Sequence, residues 1–191
     1  SFSEVVWTWT DGGLKATDVP APLYQLELAK RRAHQALKID PTTTEARPLL
    51  ARAYLGQVAT IENVLAADPD HEAVGELANE TGSLRLVGEA LGVETLRKAL
   101  EDSIASGQSA TAVRIVQSLG HIEERNDLAT SPLVAALDTP DTRVAYAAAI
   151  ALAEAAEGGQ LPAENRVVAV LGNAVQEEAI RTVLFIDSNP I

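Results

Sequence analysis

Neither cysteine nor methionine occurs in this chain. Without cysteine there is no disulfide framework, no thiol nucleophile and no thiolate-bound metal, and little follows about compartment. Methionine is missing even at position 1, and the ending, Val183 to Ile191, stops inside what reads as a folding element, so the chain is expected to be a piece of a longer one. Aromatic residues are only 4%. No apolar run reaches the ~18 residues a bilayer helix needs; the longest, from Val144 to Ala156, is short and dominated by alanine. The opening ten residues are not a secretory leader as they stand. The expectation is a cytoplasmic protein with no membrane span. Basic residues are scarce too: 15 Lys and Arg face 27 Asp and Glu, for a net charge of −12. Residues 1–60 hold seven basic and six acidic side chains, net +1; 61–130 are net −8 and 131–191 net −5. An acidic body repels phosphate backbones and anionic lipid, which argues against nucleic acid and membrane as partners. The one basic cluster, Lys30, Arg31, Arg32, His34 and Lys38, reads as the solvated face of a helix.

Apolar residues are plentiful, at 47%, and most are Ala, Leu and Val. They recur with a pattern: Ile61-Glu-Asn-Val-Leu65, Leu96-Arg-Lys-Ala-Leu100, Leu133-Val-Ala-Ala-Leu137 and Val167-Val-Ala-Val-Leu171. The starts lie 35, 37 and 34 residues apart, a period that signals stacked helical pairs. Alanine-rich helices pack closely with little loss of side-chain entropy, which favours helix on helix over a sandwich of sheets. The expected fold class is all-α, a right-handed α-solenoid of stacked helical hairpins with a short orphan β-strand at the C-terminus. Residues 1–22 stand apart as a cap segment. There Val5, Trp7 and Trp9 alternate with polar residues before Asp11-Gly12, which predicts a short strand entering a turn, the tryptophans covering the end of the stack.

From Leu23 the period becomes helical. Ala29, Ala33, Ala36 and Leu37 share one face until Asp40-Pro41 stops the helix, and a second helix, capped by Thr43 or Thr44, runs through Ala46, Leu49, Leu50, Ala53 and Tyr54 to about Gly56. The run Ala36-Leu-Lys-Ile-Asp-Pro41 with the following Ala53 and Tyr54 resembles a tetratricopeptide repeat over residues 23–58. That resemblance implies binding of peptide or protein.

Residues 59–181 are expected to hold repeats. The first, around Ile61 to Ala78, turns at Asp68-Pro69-Asp70, and Thr81 to Gly92 reads as a loop or frayed helix because of Gly82, Gly88 and Gly92. The second pairs Val93–Ile104 with Ala110–Leu119. The third is the sharpest: Ser131-Pro132 is a cap followed by proline at the first helical position, Thr139-Pro140-Asp141 repeats that grammar, and Gly158-Gly159 ends the second helix. Leu133 to Leu137, Asp141, Arg143-Val144 and the helix Ala147 to Leu152 resemble a HEAT repeat of the bacterial kind also called phycobilisome-lyase-like.

Pro162 opens a last helix through Val168, Leu171 and Val175 to about Ile180. Thr182 to Ile186 is rich in β-formers and reads as a buried parallel strand. With Asp187 after it, the segment 182–191 resembles the first strand of a receiver domain, where acidic residues at that place hold Mg²⁺; Asp187 is the one position here that matches.

Chemistry is hard to find. His34, His71 and His121 are isolated, the glycine pairs are turn material, and Glu123-Glu124 and Glu177-Glu178 diverge by ~100° on a helix, so neither is an acid–base pair. No catalytic, cofactor or metal set is expected. The function expected is a non-catalytic scaffold or adaptor for protein or peptide, with Arg143, Tyr146 and Glu154 as the candidate contact residues. Two alternatives stand beside it: the regulatory arm of a signalling protein with a receiver-like domain, and a lyase- or chaperone-like accessory by fold analogy. Oligomeric state stays open.

Overall fold

The computed structural model describes residues 3–10, 13–67, 74–156 and 158–187, with side chains over 23–67, 79–124, 127–156 and 158–176. Two compact units divide the chain, Ser1–Ala99 and Leu100–Ile191.

The first unit opens with strands β1 (Ser3–Thr10) and β2 (Gly13–Pro20), which pair antiparallel from Ser3 opposite Pro20 to Thr10 opposite Gly13. The strand expected around Val5 to Trp9 is therefore present, with a partner strand; the Trp7 and Trp9 side chains lie outside those described. Helices α1 (Ala21–Ile39), α2 (Ala46–Ala67) and α3 (Val74–Glu89) follow, α2 packing against both α1 and α3. Asp40 ends α1 as expected: its Oδ1 accepts from the Thr42 backbone N–H at 2.9 Å and from the Thr42 hydroxyl at 2.6 Å. Ala33, Ala46 and Leu50 form the α1–α2 core, with Ala36, Leu37, Tyr54 and Leu91 against it.

Two readings of this unit are corrected. α2 does not end near Gly56 but runs on to Ala67, because Leu55, Val58, Ala59 and Ile61 are all buried on it. Burying those side chains outweighs the ~1 kcal/mol by which glycine disfavours a helix. Ile61 to Leu65 thus belong to α2, while the turn expected at Asp68 to Asp70 lies outside the described residues. Thr81 to Glu89 is helical rather than loop, and Gly88 lies against Leu55: a Cβ there would meet its Cδ2 at 3.0 Å. The helix gives way by Gly92, whose φ of +90° suits a residue without a side chain.

The boundary between units falls within α4 (Val93–Ala105), which with α5 (Ser109–Ile122) matches the expected second pair to within a few residues. In the second unit α5 is followed by a short 3-10 helix (Arg125–Thr130), by α6 (Pro132–Ala136), α7 (Thr142–Ala156) and α8 (Glu164–Asp187). α7 is the hub and packs on α5, α6, the 3-10 helix and α8. Its inner face buries Val144, Ala148, Ala149 and Leu152 with Ile115, Leu119, Leu128 and Leu133 in the same unit. Ser131 caps α6 as its sequence predicts, its Oγ accepting from the Leu133 N–H at 3.2 Å, with proline at the first position of the helix.

α5 and α7 approach each other closely at Gly120. A Cβ placed there would lie 2.9 Å from the Ala151 Cβ and 3.3 Å from its Cα, so the two backbones would have to part. Gly120→Ala is expected to lower stability by about 1–2 kcal/mol, the overpacking cost exceeding the gain in helix propensity. Gly82 sits in α3 with open space around it, so Gly82→Ala is expected to raise stability by up to ~1 kcal/mol. Urea melts of the two variants should move in opposite directions; a shift of Gly120→Ala to higher denaturant overturns the close contact.

The C-terminal strand is corrected as well. Thr182 to Ile186 continue α8. A lone strand leaves its N–H and C=O groups without a ladder, whereas a continued helix closes them internally. Among the described residues the only strands are β1 and β2, which pair with each other. The receiver-like reading loses the element on which it rested, and the Asp187 side chain is outside those described. α8 begins at Glu164 rather than at Pro162, after Ala163, which holds a positive φ of 51° and accepts from the N–H groups of Arg166 and Val167.

Candidate partner-binding surface

Asp141 stands just before α7 and does several jobs. Its Oδ1 accepts from the Arg143 backbone N–H at 3.0 Å, capping the helix, and its Oδ2 meets the Arg143 guanidinium at 3.1 Å. The hydrogen bond from Arg143 and then one from the Ser109 hydroxyl, at the start of α5, pull the Asp141 carboxyl down to about 2, against the opposing effect of partial burial. Ser109 and Asp141 thus tie the first turns of α5 and α7 together. Arg143 itself remains 71% exposed.

Beyond it, the burial pattern of α7 decides which residues face out. Val144, Ala145, Ala148, Ala149, Ala151, Leu152 and Ala156 are buried. Arg143, Ile150 and Glu154 are exposed, with Tyr146 and Ala147 half-buried beside them. At 100° per residue these outward positions fall on one stripe. All three sequence-predicted contact residues therefore meet on one helix face. Ile150 belongs to the apolar run from Val144 to Ala156, yet it is 47% exposed and sits in the middle of that face. The seven buried positions of α7 fix this phase, which the spacing of Arg143, Tyr146 and Glu154 alone leaves open.

The other candidate chemistry is dispersed. In the first unit Lys30 Nζ lies 2.7 Å from Glu27 Oε2, donates to Gln57 Oε1 at 3.0 Å and stands 5.0 Å from the Tyr54 ring centre. Gln57, only 5% exposed, donates to Glu27 Oε2 at 3.2 Å, and Arg31 Nε donates to Glu27 Oε1 at the same distance. Burial pushes the Glu27 carboxyl up, but the hydrogen bonds and charge of Lys30, with Gln57 and Arg31, outweigh it and hold it below its ordinary value. The cluster read as a solvated face is thus split: Lys30 ties α1 to α2 through Gln57 and Arg31 pairs with Glu27 within α1, while Arg32, His34 and Lys38 are exposed. His34 Nε2 is 3.0 Å from the Tyr54 hydroxyl. His121 is exposed, and His71 lies outside the described residues.

Glu123 and Glu124 do not stand on a helix as expected but follow the end of α5 in extended backbone. Glu124 is exposed, while Glu123 is buried and accepts from the Ser131 hydroxyl at 2.6 Å, a contact the sequence reading did not find. The Glu177 and Glu178 side chains are outside those described. A groove of about 700 Å³ opens beside the start of α8, lined by Leu128, Val134, Ala156, Leu161 and Pro162. Its charged member, Arg166, is paired with Asp138 at 2.6 Å. Among the described residues no cluster of His, Asp and Glu could hold a metal ion, and no helix is long and apolar enough to cross a membrane. Compared with protein-family models, with curated proteins and with solved structures, the chain matches none of them.

Proposed function

We propose that this chain is a non-catalytic scaffold that holds protein or peptide partners against helical faces. The observation that carries the reading is the outward stripe of α7, where a half-exposed Ile150 stands between Arg143 and Glu154. An apolar centre with charged ends suits a helical or extended peptide, which takes its affinity from the anchor and its register from the charges. The rest of the reading is finer. The α1–α2 pair is tetratricopeptide-like, and α4 to α7 are HEAT-like pairs of a short solenoid. Capped α6 followed by Asp141-capped α7 supports that assignment, because both helices of that pair start with the same local grammar.

The test is selection of peptides from a random library on immobilised protein, followed by measurement of their affinity for Tyr146→Ala/Ile150→Asp. Ile150 is half-exposed and Tyr146 half-buried, so a cooperative melt of the variant is the control that it is folded. Selected peptides are expected to lose roughly tenfold or more in affinity, as anchor residues do. Equal binding by native protein and variant would remove α7 from the proposal.

A further inference from the structure

We propose that the exposed face of α7 is self-complementary and docks a second copy of this chain, the two α7 helices lying antiparallel about a two-fold axis. This rests on the reading of α7 as a contact surface and names its partner. Arg143 and Glu154 are eleven residues apart, about 16 Å along the helix. Centred between Ala148 and Ala149, a two-fold axis puts Arg143 of one copy opposite Glu154 of the other, twice. The same operation puts the small Ala147 opposite Ile150, whose side chain is 47% exposed. In a two-fold interface the same patch must satisfy itself, and this one does in both charge and volume.

The helix dipole points the same way. Arg143 sits in the first turn of α7 and Glu154 near its last, each at the end where its charge is unfavourable. Asp141 offsets Arg143 locally. An antiparallel neighbour reverses both relations: Arg143 comes to the partner's C-terminal end and Glu154 to the partner's N-terminal end. Two features set the strength. One helix face buries less than the ~800 Å² per partner of a standard stable interface, so the dimer is weak and fast. The chain's net charge of −12 opposes association at long range, but at 0.15 M salt the screening length is ~8 Å and the contacting pairs lie well inside it.

Sedimentation equilibrium of the full chain, from about 5 to about 500 µM at 0.15 M salt, reads the effect directly. The native protein is expected to shift towards dimer across that range. Arg143→Glu and Glu154→Arg are each expected to weaken association by roughly tenfold or more, since like charges then face each other twice. The doubly reversed Arg143→Glu/Glu154→Arg should recover most of the native affinity, a recovery that no folding defect can imitate. Monomer at every concentration, or a dimer indifferent to the single reversals, or a double reversal no better than the singles overturns the proposal. A monomer whose selected peptides still depend on Ile150 overturns self-docking alone; loss of both removes the scaffold reading with it.

Discussion

Leu137→Asp unfolds the second unit, and Ile150→Asp leaves it standing. Leu137 is only 4% exposed at the end of α6, so the substitution removes a buried apolar side chain and puts an unpaired carboxylate in its place. The expected cost is about 5 kcal/mol or more, comparable with the whole stability of a small domain. The aspartate at 150 is solvated where Ile150 now stands, and its effect should stay within about 0.5–1 kcal/mol. Circular-dichroism melts of the two variants separate the cases. A cooperative melt of Leu137→Asp near the native temperature would refute the packing of α6 described above.

Ser131→Ala has the next largest effect, because one hydroxyl serves two partners. Its oxygen accepts from the Leu133 N–H and caps α6, and its proton goes to the buried Glu123 carboxylate at 2.6 Å. Loss of the cap costs about 1 kcal/mol and loss of a charge-assisted bond about 1.5–3, so the variant should be destabilised by about 2–4 kcal/mol. Coupling tests the assignment. In Glu123→Leu/Ser131→Ala no carboxylate is left without its donor, so the double variant should lose less than the two single costs combined. Strict additivity in urea titrations would show that the two side chains do not depend on each other.

What the sequence made legible was local grammar. Asp40-Pro41 stopping α1, Ser131-Pro132 starting α6 and Gly158-Gly159 after α7 each act within a few residues, and each stands where it was expected. The α4–α5 pair followed from periodicity in the same way. Readings that depended on tertiary neighbours fared worse. Gly56 signals a helix end only if nothing buries the residues after it, and α3 does so on one side of α2. Thr182 to Ile186 has the composition of a strand, but composition does not supply a neighbouring strand. Hydrophobicity alone would place Ile150 in the core, whereas the alanines around it fill the packed side of α7. For the contact surface, Arg143, Tyr146 and Glu154 were legible as types, and the phase that unites them needed only the count of buried positions. Glu123 meeting Ser131 was not legible, since the short 3-10 helix between them brings the two together and no periodicity records it.

The missing methyl at Gly120 sets the distance between α5 and α7 by subtraction: the pair is close because one side chain is absent. Ala151 on the facing helix is already nearly as small, so little volume can be traded between the two positions. Among relatives of this chain the two sites should therefore vary together, one of them glycine wherever the other carries a side chain. A sequence with alanine at both must either space its helices more widely or shift one along the other. The spacing of the pair is thus an inherited property of two positions jointly, and a change at 120 becomes tolerable only after its counterpart at 151 has shrunk.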